Sequence, residues 1–159
     1  MRSVFGIGET ILDIIFKEGQ PYKAVPGGSV FNGLISLGRL QVPVTFISEL
    51  GKDQVGDLIL RFMEQNHIST RYIDRFPDGK SPISLAFLDA NRNANYSFYK
   101  DYPTERLDVP FPRIEADDIL IIGSYYALNP ALRPRMVEFL QYACERKAII
   151  YYDLNFRKA

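Results

Sequence analysis

Apolar residues fall along this chain in two kinds of pattern. Short runs, often β-branched, occur at Val4-Phe5-Gly6-Ile7-Gly8 and over residues 42–47, 119–122 and 148–152. Runs of this length, several closed by glycine, suit buried strands. Between them, apolar positions recur at helical spacing: Val30, Phe31, Leu34, Ile35 and Leu37, then Val55, Leu58, Ile59, Phe62 and Met63. A third stripe runs through Leu132, Met136, Phe139, Leu140, Ala143 and Cys144. Ser29 is a reasonable N-cap for the first helix, and Asp53 for the second, which ends near Asn66-His67. Asn129-Pro130 reads as the start of the third, a capping Asn followed by Pro at the first helical position. Strand and helix alternate throughout, which predicts an α/β fold: a mostly parallel sheet covered by helices.

Two segments interrupt that alternation. Residues 11–16 and 22–25 flank the turn-like cluster Glu18-Gly19-Gln20-Pro21, and residues 83–88 and 96–99 bracket residues 89–93. Both read as hairpins. The second alternates loosely and is not strongly apolar, so it is expected outside the main core. No repeat or low-complexity tract is present, so the chain reads as one folded unit. It stops at residues 156–159, where the alternation would launch another helix, and it is expected to be part of a larger protein.

At 159 residues, 47% hydrophobic and 24% charged, the composition is that of a globular domain with one core. Nineteen basic side chains balance nineteen acidic ones, which argues against nucleic acid as a partner, since phosphate-backbone binding rests on clustered Lys and Arg. One Cys cannot form an internal disulfide, and with one His it cannot supply a zinc site. No run approaches the roughly 18 apolar residues of a membrane span, and the first residues do not read as a signal peptide. The expectation is a cytoplasmic protein with no membrane partner.

In open α/β sheets, ligands bind beyond the carboxyl ends of the strands. The first strand offers Gly8, Glu9 and, further on, Asp13; the second Glu49, Gly51 and Asp53; the third Gly123, Ser124, Tyr125 and Tyr126; the last Asp153, Asn155 and Arg157. If the chain stays extended, that last trio points to one side and could grip hydroxyls; the other reading is a turn with a surface Asp-Asn cluster. Gly27-Gly28 before a helix lets backbone approach a ligand closely. Asn32 in that helix reads as a buried amide needing a partner, either a sugar hydroxyl or a loop carbonyl. Other motifs fail. Gly6-Ile7-Gly8 is followed by Ile11 where a dinucleotide fingerprint wants Gly or Ala, and no Walker-type loop exists. Val55-Gly56-Asp57 reads as packing plus a favourable charge, His67 as a surface residue and Cys144 as buried and inert.

Four segments in order carry a resemblance: Gly6-Ile7-Gly8-Glu9-Thr10-Ile11-Leu12-Asp13, then Pro26-Gly27-Gly28-Ser29-Val30-Phe31-Asn32 continuing to Leu40, then Phe46 to Asp57 with Gly51-Lys52-Asp53, and last Asp153-Leu154-Asn155-Phe156-Arg157. The chain resembles the N-terminal half of the ribokinase-like (PfkB-type) carbohydrate kinases and is most similar to fructokinases and ketodeoxygluconate kinases. The resemblance implies residues 1–159 as the N-terminal part of one α/β kinase domain, truncated relative to the full fold. It implies a small β lid from segments near 11–25 and 82–100, and a homodimer paired through that lid. Asp13 matches the acidic residue that accepts sugar hydroxyls; Gly27, Gly28 and Asn32 match the wall of the sugar pocket; Lys100 falls where relatives often have an Arg. Arg157 matches the subgroup's strand-end Arg, with Asp153 and Asn155 shaping the sugar and phosphate side. Gly33 and Ser36 depart from the larger apolar or Ala residues of many members.

The implied activity is transfer of the γ-phosphate of Mg-ATP to a hydroxyl of a ketose or keto-sugar acid. The family's catalytic base lies in a Gly-Ala-Gly-Asp-type motif that does not occur here. The chain alone is therefore expected to hold no catalytic residue, bind neither ATP nor magnesium tightly, and be inactive. Two alternatives remain open: a non-catalytic sugar-binding or dimerisation module, and a nucleoside kinase of the same fold, with Tyr125 or Tyr126 stacking on the base.

Overall fold

The computed structural model describes residues 2–89 and 93–156. The chain runs β1 (Val4–Ile7), β2 (Ile11–Lys17), β3 (Gln20–Gly27), α1 (Ser29–Arg39), β4 (Val44–Gly51), α2 (Gln54–Gln65), β5 (Ile68–Phe76), β6 (Lys80–Leu88), β7 (Ala94–Asp101), β8 (Ile119–Gly123), α3 (Ser124–Ala127), α4 (Arg133–Glu145) and β9 (Ile149–Asp153). Five strands form a parallel sheet in the order β5-β4-β1-β8-β9. The other four form a smaller sheet, β3-β2-β6-β7, in which two antiparallel hairpins meet through a parallel β2–β6 pairing.

Side chains alternate across a strand, and that alternation divides the core in two. Val4 of β1 faces one side, among Val30, Phe31 and Leu34 of α1 and Ile59 and Met63 of α2. Phe5 and Ile7 face the other, among Leu120 and Ile122 of β8 and Met136, Phe139 and Ala143 of α4. Each such buried side chain larger than alanine contributes about 1.5–3 kcal/mol. At Gly6, a side chain would collide with Val30 and Leu34, so its absence brings α1 down onto the sheet. Leu12 and Ile83 of the small sheet reach the α1/α2 side of the core, joining the two sheets.

The structure departs from the sequence expectations in several places. β5 was not anticipated: Ser69, Thr70, Arg71, Asp74 and Arg75 give it little apolar character because it is an edge strand with one neighbour. The N-cap of α1 is Gly28, not Ser29. Asn129 does not start α4: its Oδ1 accepts from the Ala131 N–H at 3.0 Å in a separate turn, and the helix begins at Arg133 with Pro134 in its first turn. Cys144 is exposed, because the buried stripe of α4 runs through Met136, Phe139 and Ala143. Asp53 caps α2 as expected, accepting from the Gly56 N–H at 2.7 Å. Among the described residues, no helix is long and apolar enough to cross a membrane.

Candidate functional site

Because the main sheet is parallel, the carboxyl ends of its strands share one edge, where the small sheet also attaches. The chain leaves β1 through Gly8, whose carbonyl accepts from the Ser48 hydroxyl at 2.7 Å, and Thr10 donates to the Gly27 carbonyl at 3.2 Å. These bonds bring the β1 exit against the start of α1. Gly28 has φ 140°, and any side chain there would meet the carbonyl of Glu9. Glycine adopts such a backbone at little cost. A Cβ at Gly27 would lie 2.6 Å from Asp13 Oδ2, so the carboxylate is pressed against bare backbone. Asp13 Oδ1 accepts from the Ser84 hydroxyl at 2.5 Å. No side chain caps α1, leaving the N–H groups of its first turn without that partner.

Lys100 Nζ sits 2.7 Å from the Glu9 carboxylate, which also accepts from the Tyr102 hydroxyl at 2.7 Å. Asp13, Gly27, Gly28, Glu9 and Lys100 therefore surround the junction of β1, β2 and α1. Asn32 is exposed in α1 rather than buried, so its amide has no burial to compensate. On the far side of α1, Ser29 Oγ lies 3.5 Å from the Cβ position of Gly123, which pairs with Asp153 in the β8–β9 ladder. Tyr125 is exposed in α3.

Asp153 closes β9, and Asn155 does not extend it. Asp153 Oδ1 accepts from the Asn155 N–H at 3.0 Å, and Asn155 has φ 40°, so the segment turns between these two residues and they do not share one extended face. The Asp-Asn turn arises because a short carboxylate bonds its own backbone two residues on. Arg157 lies outside the described residues.

Sequence reasoning noted Glu49 at a strand end but gave it no role, and it missed Arg106 and Tyr102. Glu49 is 1% exposed. It accepts from Arg106 Nε at 3.0 Å, from the Leu107 N–H at 3.1 Å and from the Tyr126 hydroxyl at 3.1 Å, with Arg106 Nη2 in closer contact still. The Arg106 guanidinium also lies 3.7 Å from the centre of the Tyr102 ring. Burial disfavours the Arg106 charge, but the Glu49 hydrogen bonds and charge outweigh it and hold the guanidinium above its ordinary pKa. Burial, then the charge of Glu9, pushes the Tyr102 hydroxyl far above the usual tyrosine range, so it remains a donor. Burial and Glu49 do the same to Tyr126. Nothing in the sequence pairs Glu49 with Arg106, 57 residues away.

Beside this array, a groove of about 780 Å³ opens between the start of α2 and the small sheet, lined by Asp53, Val55, Ile83, Phe98, Tyr99 and Lys100 among others. Among the described residues, no three His, Cys, Asp or Glu side chains are grouped to hold a metal ion, so none is assigned to magnesium.

A parallel sheet whose strand ends gather carboxylates, an ammonium group and an uncapped helix start is the layout of an α/β protein that takes a polar ligand there. The pfkB family of carbohydrate kinases matches residues 1–159, and the chain belongs to that family. It is 20% identical over 166 residues to the probable fructokinase-2 of Arabidopsis thaliana, covering 98% of this chain and 50% of that protein. Among solved structures, a fructokinase double mutant from Vibrio cholerae O395 in a fructose, ADP and potassium ion bound form has TM-score 0.82 and 20% identity, covering 99% of this chain and 51% of that one. A fructokinase with bound ATP from Xylella fastidiosa has TM-score 0.80 and 23% identity, covering 98% and 52%. At these identities, the structural likeness shows the fold, that of the ribokinase-like kinases. The chain spans about half the length of the curated relatives it matches.

Proposed function

We propose that this chain forms the sugar-holding part of an ATP-dependent kinase of fructose or a related ketose. The observation that carries it is the Asp13 carboxylate held against Gly27, beside Glu9, Lys100 and the uncapped start of α1. A carboxylate accepts hydroxyl protons, an ammonium donates, and bare glycine backbone lets a polyol come close. In this role Asp13 orients the sugar hydroxyls, Gly27, Gly28 and Asn32 wall the pocket, and Lys100 donates from the small sheet. Tyr125, Asp153 and Asn155 border the side nearer the phosphate.

The small sheet acts as a lid, spanning segments near 11–25 and 82–100, and pairs with a second copy in a homodimer. In support, Phe87, Tyr96 and Phe98 are 42%, 53% and 59% exposed on it, more aromatic surface than a solvated hairpin ordinarily carries. Catalysis by kinases is mostly positioning and charge stabilisation. These residues hold the acceptor hydroxyl in place and exclude water, while Mg-ATP, bound with the catalytic base in the rest of the protein, supplies the phosphoryl group.

The test is an ADP-release assay of the full-length protein against a panel of sugars. Turnover is expected with fructose or a related ketose and none from the 159-residue chain. Full-length protein inert toward every sugar would sink the proposal.

A further inference from the structure

Between β7 and β8 the chain forms neither helix nor strand, over residues 102–118. Connections this long without regular structure are uncommon inside a domain. This strap closes the core on the α4 side, where Leu107 and Ile114 are buried in one cluster with Phe5, Ile7 and Ile47. Two carboxylates fasten it. Glu49 of β4 and Asp74 of β5 are register partners in the parallel ladder. They take consecutive backbone N–H groups of the strap, Leu107 to Glu49 at 3.1 Å and Asp108 to Asp74 at 2.8 Å. Leu107 has φ 55°, a left-handed backbone that a branched side chain adopts only at a cost, so the clasps hold the strap against strain.

The two clasps use the same chemistry with unequal support. Glu49 is buried, and the Arg106 guanidinium matches its charge. Asp74 is half-buried, with Glu49 beside it on β4 and Asp108 on the strap, while Lys52 from the turn before α2 works against them. A cavity of about 640 Å³ adjoins it, lined by Asp78, Asp101, Glu105 and Asp108 as well as Asp74, and among the described residues lining it none is basic. The other charged groups nearby are turned elsewhere: Arg75 to Gly51 and Asp57, Arg71 to the Tyr72 ring, and Arg135 of α4 to the Val109 carbonyl and Glu138. Tyr102 spends its hydroxyl on Glu9. Burial raises the Asp74 carboxyl above the ordinary 3.8, and the charges of Glu49 and Asp108 add to that, outweighing the Asp108 N–H and Lys52.

We propose that Asp74 is a proton-operated latch: ionised, it lets the strap come away from the end of β5, and protonated, it fastens it, while Glu49 and Arg106 keep the neighbouring residue anchored. Linkage fixes the direction. With the strap closed, Asp74 holds its proton more tightly than when solvated. Closure is therefore disfavoured at neutral pH and gains stability as pH falls through the raised value, until below 3.8 both forms are protonated. A neutral carboxyl still accepts the Asp108 N–H through its carbonyl oxygen, and the repulsion is gone. Because the strap follows directly on β7, the latch sets how firmly the Lys100 end of that strand is held beside its groove. None of this depends on the sugar-kinase proposal.

Amide hydrogen exchange of the full-length protein tests this, read by NMR at Asp108 and Leu107 and corrected for the chemical rate at each pH. From neutral pH to about pH 4, protection of the Asp108 N–H should rise about two- to fivefold, the range that half-exposed charges support, and that of Leu107 by less. Asp74→Asn keeps an acceptor and drops the charge. Its Asp108 protection should exceed the unmodified value at neutral pH and rise less on acidification. Asp108→Asn removes the facing like charge but keeps the amide, so it should raise protection at neutral pH by a smaller factor. It serves should Asp74→Asn fail to fold, and no gain in it would then defeat the latch. The latch is also overturned if Asp108 protection falls or stays level on acidification, or if it rises as much in Asp74→Asn as in the unmodified protein.

Discussion

The junction between the two sheets and the β9 edge of the main sheet are built to opposite standards. At the junction, Glu49 and Arg106 are almost wholly buried, each hydrogen-bonded, with Tyr102, Tyr126 and Glu9 completing the set. Among the described residues, no buried side-chain nitrogen or oxygen lacks a partner. At β9, Ile149, Tyr151 and Tyr152 are 44%, 62% and 43% exposed, and an apolar hollow of about 320 Å³ lies between β9 and the α3/α4 side, lined by Leu128, Met136, Leu140 and Tyr152 among others. The opposite edge strand, β5, carries Arg71, Asp74 and Arg75, the charged dress that keeps a strand from pairing with strangers. β9 carries a single charge, Asp153 at its last position. A polar interface this complete holds itself together from within the chain, whereas an apolar edge this open is stable only when covered.

The largest effect is expected where the junction is broken on one side. Arg106→Leu leaves the Glu49 carboxylate buried with only the Leu107 N–H and Tyr126 hydroxyl, and removing one partner of a buried pair costs about 3–5 kcal/mol. Urea unfolding of the variant should show that loss. Replacing both partners, Glu49→Met with Arg106→Met, should recover most of it, because no orphaned charge remains. Equal losses in the single and double variants would mean that the array is packing rather than electrostatics.

Asp53 makes another tie between the start of α2 and the small sheet and predicts a smaller effect. Its carboxylate accepts from Gly56 in α2 and from the Ser81 N–H of β6 at 2.7 Å. Burial alone would raise its pKa, but the Ser81 and Gly56 N–H groups outweigh that and hold it below the ordinary 3.8. A carboxyl lowered on folding stabilises at pH above its unfolded value and loses that contribution as pH falls through the folded one. Asp53→Asn, which keeps one acceptor of two, should therefore cost about 1–2 kcal/mol at neutral pH. The gap from the unmodified protein should close below the ordinary carboxylate value of 3.8. A gap constant from pH 7 to pH 3 would overturn the linkage.

These two bonds also mark how far the sequence was readable. Asp53 was legible because capping is local: an acidic residue directly before an apolar-periodic run has one common use. The spacing of Val30, Phe31, Leu34 and Ile35 was legible for the same reason, and all four are buried in the core. Glu49–Arg106 was not, since its partners meet only after the chain has folded the intervening small sheet. β5 escaped because an edge strand needs little apolar surface. Cys144 misled because it sits one position beyond Ala143, and a single step turns a helical residue through about 100°. The Asp153–Asn155 segment misled because alternation in sequence implies a shared face only while the backbone stays extended, and a side chain that bonds its own backbone ends that extension. At the candidate site, the sequence could name Asp13, Gly27 and Gly28 as candidates, but not Tyr102, whose only signal was an aromatic residue in an aperiodic loop.

The smallest effect on stability, and the sharpest contrast with Arg106, is expected at β9. Tyr151 is 62% exposed, and a substitution at so open a position ordinarily changes stability by within about 0.5 kcal/mol. Tyr151→Lys should leave the unfolding midpoint of the 159-residue chain nearly unchanged, while a charge on an edge strand opposes edge-to-edge pairing. Light scattering coupled to size exclusion should then show less self-association than in the unmodified chain. The same substitution in the full-length protein should be costly, because there the side chain is expected to lie against the rest of the fold, and burying an unpaired ammonium is unfavourable by several kcal/mol. If Tyr151→Lys destabilises the short chain as much as the long one, the β9 edge is already covered by the chain's own residues in solution. In that event the contrast between a finished junction and an unfinished edge does not hold.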